Sequence, residues 1–582
     1  IHIDLTTPMF AFYHFYQLFA IVQYGKLPKL LQEPQTQSKG LTHETSNNLG
    51  DRKLLALITA TLKLCSKDQQ KDLFMAIACV HTRASCGVEA PEVTVEVHLS
   101  NGLPAFNLVG LPEASVKEAR ERVRSALINA GFEFPMRRIT VNLAPADLPK
   151  QGGRYDLPIA IGILAASEQI PRTSLKDTEF VGELALSGQI RHCQGLLPAI
   201  IAAKRHNNQL ILPLDNRHDA ELVGYPKVYF GSHLQSLAAF LHGQAPLPML
   251  EQQLEWIADE PAQSTPCLSE VIGQYQAKQA LEIAAAGNHN LLMLGPPGTG
   301  KTMLASRMMA LLPALNYEEA LEVAAIHSVA GINIKPQDFL KRPFRAPHHT
   351  CSSISLVGGG SIPKPGEISL AHRGVLFLDE VAEFPRKVLD CLREPMETGE
   401  VVISRAAAKL TFLSRFQLIA AMNPSPSGDI DGPNRATPDQ VQRYLARLSG
   451  PFLDRFDLTI EVPKLPAGTL TQPTSTSETS DEIAKRVKRA RDSQLARAGV
   501  LNSELSGKQL KQFGGLSDAD LSFLEQSVVK LGLSVRSFHR IQRVARTIAD
   551  LEQAPNTERR HLAQALGYRA MDKLLARLSQ QY

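Results

Sequence analysis

Cysteine is sparse in this 582-residue chain. The seven residues, at positions 65, 79, 86, 193, 267, 351 and 391, are scattered, and none forms a C-x-x-C pair. That distribution argues against a disulfide scaffold or a zinc ribbon and for a reducing compartment. Long apolar runs are also missing. None reaches the ~18 residues needed to span a bilayer, so a cytoplasmic protein with no membrane partner is expected. Charge of one sign is not in excess: 62 Lys and Arg face 58 Asp and Glu, a net +4. Any nucleic-acid contact must therefore come from local patches. The apolar N-terminal stretch "MFAFYHFYQLFAIVQYG" lacks a basic n-region and carries His14 and Gln17, which makes it a poor signal peptide. A polar stretch follows it, and Met75-Ala76-Ile77 reads like an ordinary protein start. Residues 1–74 are expected to be an extension outside the folded domains, the other reading being an accessory helix.

The strongest positive signal lies at residues 291–306, "LLMLGPPGTGKTMLAS". A short apolar strand runs into Gly295-Pro296-Pro297-Gly298-Thr299-Gly300-Lys301-Thr302, which matches G-x-x-x-x-G-K-[ST] in full, and a helical pattern follows. The glycines let backbone N–H groups turn toward phosphate oxygens. Lys301 then reaches the β- and γ-phosphates of ATP, and the Thr302 hydroxyl holds Mg²⁺. The helix starting near Lys301 points its positive end at the same anion. A second buried strand, "GVLFLDE", ends in two acids. Asp379 suits the Mg²⁺ position, and Glu380 suits the base that orients water.

Upstream, residues 93–213 alternate between strand and helix patterns: "VTVEVHLS", a turn at Asn101-Gly102, "LPAFNLVG", an amphipathic helix closed by Gly131, "RRITVNLA", a buried helix in "DLPIAIGILAA", a hairpin in "FVGELALSGQIR", a helix in "GLLPAIIAAKRHN" and the strand "QLILP". This α/β domain, assigned to 75–243, resembles the Lon-protease C-terminal fold of the ribosomal protein S5 domain 2-like group. Alignment by eye puts Arg154 at that family's serine position and Leu197 at its lysine position. Neither supplies a nucleophile or a base, so a binding or assembly module is expected. Its arginines (Arg120, Arg122, Arg124, Arg137, Arg138, Arg154) are open to two readings, a phosphate-backbone contact or a solvated, ion-paired surface.

A linker (244–268), an ATPase core (269–462), a second linker (463–480) and a helical segment (481–582) complete the expected layout. Three polar residues follow in order: Asn423 after the strand "FQLIAAM", Arg455 in "FLDRFDLTIEVP", and Arg536 early in "LSVRSFHRIQRVARTIADL". With Ile272-Gly273-Gln274 ahead of the P-loop, they resemble the sensor 1, arginine finger, sensor 2 and adenine-side entry of AAA+ modules. Arg447 is a rival for the finger. The run "RPFRAPHHTCSSISLVGGGSIPKPGEISLAHRGVLFLDE", together with "VEVHLSNGLPAFNLVGLPEASVKEARERVRSALINAGFEFP" and "NLAPADLPKQGGRYDLPIAIGILAA", resembles the ComM/YifB-type magnesium-chelatase-like AAA+ ATPases from residue 75 onward.

The resemblance implies an α/β fold with a Lon-like N-terminal domain, an AAA+ P-loop core and a C-terminal helical lid. It implies a homo-hexameric motor using ATP and Mg²⁺, driving branch migration on single-stranded and branched DNA during natural transformation, with recombination proteins as possible partners. Residues 341–349, rich in Lys, Arg and His, read either as a loop gripping phosphates or as a structural loop. Gly358-Gly359-Gly360 with Pro363 and Pro365 reads as a mobile loop. Where many relatives carry a cysteine cluster after the sensor-1 Asn, this chain has Ser425 and Ser427, so no zinc site is expected there. Two other classes stay open, a chelatase motor subunit and an ATP-dependent protease.

Overall fold

Strands and helices fill residues 77–580 of this computed structural model, which describes that span apart from 111–115, 117, 251–265, 361–362, 405–408, 429–435, 467 and 470–477. The extension expected at 1–74 lies outside the described residues. The strands of the N-terminal part are β1 (Ile77–Arg83), β2 (Glu92–Ser100), β3 (Ala105–Val109), β4 (Arg138–Ala144), β5 (Thr178–Phe180), β6 (Glu183–Leu184), β7 (Ile190–Arg191), β8 (Gln209–Pro213) and β9 (Val228–Gly231). Seven of them make one mixed sheet in the order β3-β4-β2-β1-β5-β8-β9, and β6 pairs with β7 as the expected hairpin. The strands flanking Asn101-Gly102 do not pair with each other: β4 lies between them, antiparallel to β2 and parallel to β3. Periodicity identifies a strand by its buried face but not its neighbour. The helix Asp156–Ala166 is buried at every residue, which is why it has no polar stripe.

The second sheet is five-stranded and wholly parallel. It comprises β10 (Leu291–Leu294), β11 (Phe344–Arg345), β14 (Val375–Leu378), β17 (Gln417–Met422) and β18 (Leu458–Glu461), in the order β11-β14-β17-β10-β18. Two small antiparallel pairs lie outside it, β12 (Gly358–Gly359) with β13 (Lys364–Pro365), and β15 (Glu400–Ser404) with β16 (Lys409–Leu413). The glycine-proline stretch expected as a mobile loop is thus partly tied into a strand pair. β10, β14 and β17 are apolar runs because both their faces are covered. Leu291, Met293, Val375, Phe377, Ile419 and Ala421 face one core, and Leu292, Leu294, Leu376, Leu378, Leu418 and Ala420 face the other.

The helix Tyr317–Ala330 starts in a capping box, Asn316 with Glu319, and stops at the left-handed Gly331. It packs on the helix Leu197–His206, so residues of both halves share one core: Leu197, Ile200, Leu212 and Phe230 with Ala320, Leu321, Ala324 and Phe339. After residue 480 the described chain is helical: Ser480–Ala498, Gly507–Phe513, Asp518–Lys530, Val535–Leu551, Arg559–Gly567 and Ala570–Gln580. Ile483, Val487, Ile541 and Val544 pack against Leu281 and Ala284 of the helix Tyr275–Gly287. No helix among the described residues is long and apolar enough to cross a membrane.

Candidate nucleotide site

Ligands of open parallel sheets sit beyond the carboxyl ends of the strands, and there the chain places its P-loop. β10 runs into Gly295, where an added Cβ would lie 2.2 Å from the carbonyl oxygen of Val462, just past β18, so only glycine fits there. Gly298 and Gly300 adopt φ of +77° and +88°, and the turn delivers the chain into the helix Lys301–Arg307. Thr299 Oγ1 braces the turn by donating to the Pro296 carbonyl (3.0 Å). Pro297 packs beside Gly428, where a Cβ would lie 2.9 Å from its Cδ.

Lys301 folds back over the loop. Its Nζ donates to the Gly295 and Pro296 carbonyls (2.7 and 2.8 Å) and to Asn423 Oδ1 (3.2 Å). Burial lowers its pKa, and the nearby Asp379 and Glu380 act in the opposite direction. Thr302 Oγ1 donates to Asp379 Oδ2 at 2.6 Å, and Asp379 Oδ1 accepts from the Glu380 N–H at 2.9 Å. Glu380 sits in the left-handed region (φ +51°) and stays half-exposed. Five expected residues, Lys301, Thr302, Asp379, Glu380 and Asn423, thus converge at the ends of β10, β14 and β17. A hydroxyl, a carboxylate, an ammonium and a helix amino end form a donor set that fits a triphosphate with Mg²⁺. Gln274 joins from the adenine-side segment: its Nε2 donates to the Pro463 carbonyl at 2.8 Å and reaches the Thr299 carbonyl at 3.5 Å.

Arg455 lies at the other end of β10, where its carbonyl accepts from Asn290 Nδ2 at 2.9 Å. Arg455 pairs with Glu397 and not with its neighbours in sequence, Asp454 and Asp457. Asp457 instead meets His289 and the Asn290 N–H, and Asp454 faces Arg536 (3.5 Å) and Arg540 (3.9 Å). The rival Arg447 pairs with Glu383 at 2.7 Å.

Most cations of residues 341–349 find partners inside the chain. Lys341 pairs with Asp338, Arg342 with the Pro313 and Arg373 carbonyls, and Arg345 with Glu367 through two bonds. His349 was missed as a site residue: its Nδ1 lies 3.3 Å from Glu380 Oε2. The signal was topological. His349 follows β11, which neighbours β14 in a parallel sheet, so the residues after the two strands converge.

Four of the six arginines singled out in the N-terminal part, Arg120, Arg122, Arg124 and Arg154, have partners inside the chain. Arg122 makes two bonds to the buried Asp156, Arg120 pairs with Glu121, and Arg124 stacks on Phe134. Arg154 donates to the Gln194 carbonyl at 2.8 Å, and the Leu197 N–H donates to Ser328 Oγ at 3.5 Å. Of the two positions aligned with a protease dyad, Leu197 thus meets the helix Tyr317–Ala330 through its backbone, and Arg154 is held by the segment just before Leu197. Ser425 and Ser427 place their hydroxyls 3.1 Å apart.

Three family models match in sequence order. Magnesium chelatase, subunit ChlI, covers residues 267–470; subunit ChlI of Mg-chelatase covers 95–216; and the ChlI C-terminal model covers 477–569. The chain is 56 % identical over 507 residues to competence protein ComM of Haemophilus influenzae, a match spanning 87 % of this chain and all of that protein. It is 52 % identical over 505 residues to the uncharacterized protein YifB of Escherichia coli, covering 87 % of this chain and 99 % of the relative. The magnesium-chelatase 38 kDa subunit of Rhodobacter capsulatus is 27 % identical over 216 residues, 33 % of this chain and 55 % of that subunit. With this P-loop at the end of a parallel sheet and identity above one half to ComM along most of its length, the chain belongs to the ComM/YifB-type magnesium-chelatase-like AAA+ family.

Proposed function

We propose that this chain is an ATP hydrolase that drives DNA branch migration as a homo-hexamer, promoting integration of incoming DNA by homologous recombination during natural transformation. The observation that carries the ATPase reading is the Thr302–Asp379 contact (2.6 Å) beside Lys301. Thr302 and Asp379 would hold Mg²⁺, which would supply charge neutralisation at the phosphates. Lys301 exchanges its loop carbonyls for phosphate oxygens. Glu380 polarises the attacking water, and Asn423 helps to place it. His349, in contact with Glu380, steadies the carboxylate. Arg455 acts on the neighbouring subunit's γ-phosphate, and Arg536 serves as the sensor-2 arginine.

Residues 75–243 act as a Lon-like binding module without a Ser–Lys dyad, and 481–582 as the helical lid. The partners in this reading are single-stranded and branched DNA, with recombination proteins as further candidates, in the cytoplasm. The likeness to ComM supports the competence role. The test is the ATPase rate with and without single-stranded and branched DNA, alongside native mass measurement. Stimulation by branched DNA and a sixfold mass are expected. An ATPase indifferent to any DNA would remove the DNA role and leave a chelatase-type motor.

A further inference from the structure

At the opposite edge of the parallel sheet, where the strands begin, the chain gathers arginines. Arg342, Arg373 and Arg415 each stand two residues ahead of a strand, β11, β14 and β17 respectively. These strands are neighbours, roughly 4.8 Å apart, so the three residues form a row. Arg491 reaches the row from the helix Ser480–Ala498. Together they line a small cleft of about 70 Å³.

Charge within the cleft is unevenly compensated. Arg373 is met by Glu322 (2.9 Å) and Glu319 (3.4 Å), and Arg342 by Glu319 (3.6 Å). Neither Arg415 nor Arg491 meets a carboxylate within ion-pair range among the described residues. Arg491 is 7 % exposed, and its Nε donates to the Ala285 carbonyl at 2.8 Å, a neutral acceptor. Burial and the nearby Arg342 pull its pKa down to about 9, while Glu319 and Glu504 act in the opposite direction from further away. Glu504 is exposed at the lining of the same cleft. A buried guanidinium without a counterion is costly. Arg373 also sits in the left-handed region (φ +58°), where a non-glycine residue is uncommon.

We infer that this cleft is a binding site for a small oxyanion of the phosphate class, held between Arg415 and Arg491 and bridging the parallel sheet to the C-terminal helical segment. Four guanidinium groups against the paired Glu319 and Glu322 and the more distant, exposed Glu504 leave the cleft net positive, which a bound oxyanion offsets. Guanidinium forks suit tetrahedral oxyanions. The site is separate from the P-loop, which follows β10 at the opposite end of the same sheet.

Equilibrium dialysis with radiolabelled inorganic phosphate tests this on the full chain carrying Lys301→Ala, which disables the P-loop as a competing site. Saturable binding of one phosphate per chain is expected, and the further change Arg491→Gln should weaken it at least about tenfold. Arg415 is exposed, so Arg415→Gln preserves folding and should weaken binding comparably. Displacement by ATP at matched concentration would assign the bound group to a nucleotide's terminal phosphate; retention of label would assign it to free phosphate. Absence of saturable binding, binding unchanged in both variants, or displacement by a single-stranded oligonucleotide bearing only diester phosphates would overturn the proposal.

Discussion

Replacing Arg455 by alanine separates two roles that differ greatly in size. In the chain, Arg455 is paired with Glu397, whose side chain is 58 % exposed. An ion pair with one partner so wetted contributes about 0–1 kcal/mol to stability. If that were its whole role, Arg455→Ala and Glu397→Gln would behave alike, lowering Tm by a few degrees at most and leaving turnover nearly intact. A finger acting on a neighbour's γ-phosphate instead supplies about 10³–10⁵-fold in rate, equivalent to about 4–7 kcal/mol of transition-state stabilisation. The expected outcome is therefore asymmetric. Arg455→Ala binds ATP normally but hydrolyses it at least about 10³-fold more slowly, whereas Glu397→Gln retains most of the rate. A mixing assay adds the subunit test. Lys301→Ala chains have an intact Arg455 and an empty site, so adding them to Arg455→Ala chains should restore some hydrolysis. Equal rate losses in the two single variants, or no restoration at any ratio with mixed rings verified by mass, would refute the trans assignment.

Lys301→Ala should abolish nucleotide binding, and Glu380→Gln should retain ATP while stopping hydrolysis; normal turnover by Glu380→Gln would identify the wrong base. Gly295→Ala drives a Cβ into the Val462 carbonyl oxygen and should cost the protein stability as well as nucleotide affinity, read by thermal melting and fluorescent-nucleotide titration. Glu322 is held down to about 2 by its bond to His372 and then by Arg373, against burial. Its folded pKa lies below the ordinary 4.5, so the stability it contributes is present above that value and is lost as pH falls toward about 2. Glu322→Gln should flatten that acid limb in urea titrations at stepped pH. Burial raises the Cys267 thiol, but hydrogen bonds from Ser269 and Ser480 overcome it and bring the pKa to about 7; iodoacetamide at neutral pH should label Cys267 ahead of the other described cysteines, as read by peptide mass mapping.

The geometry of the P-loop was legible because it is local: eight consecutive residues fix both the glycine-dependent turn and the position of the lysine. Asp379 and Asn423 were legible because each ends an apolar run, and a parallel sheet brings such ends together. His349 and Glu397 were not, since nothing in their own segments says what the neighbouring element presents. The same limit explains Arg455, whose partner lies on a helix 58 residues earlier and not among its adjacent aspartates. Strand positions 92–109 were readable from alternation, but the insertion of β4 between β2 and β3 depends on tertiary pairing. β1 and the helices Arg217–Val223 and Leu234–Leu241 went unassigned, the latter two because they are short. The cationic stretch 341–349 looked free for a ligand because sequence composition cannot show which carboxylates and carbonyls fold back to meet it.

The core shared between the helix Leu197–His206 and the helix Tyr317–Ala330 has a consequence for biosynthesis. Leu197, Ile200 and Phe230 are translated well before Ala320, Leu321 and Phe339, which cover them. At ~5–20 residues per second, the roughly 100 residues separating residue 243 from Phe339 take on the order of 5–20 s to emerge. During that interval the N-terminal half carries an uncovered apolar surface on the ribosome. A chaperone that recognises exposed aliphatic side chains has its opportunity then, and ribosome profiling of chaperone-bound nascent chains should show occupancy that starts once residues 197–230 have left the exit tunnel and falls once residue 339 has.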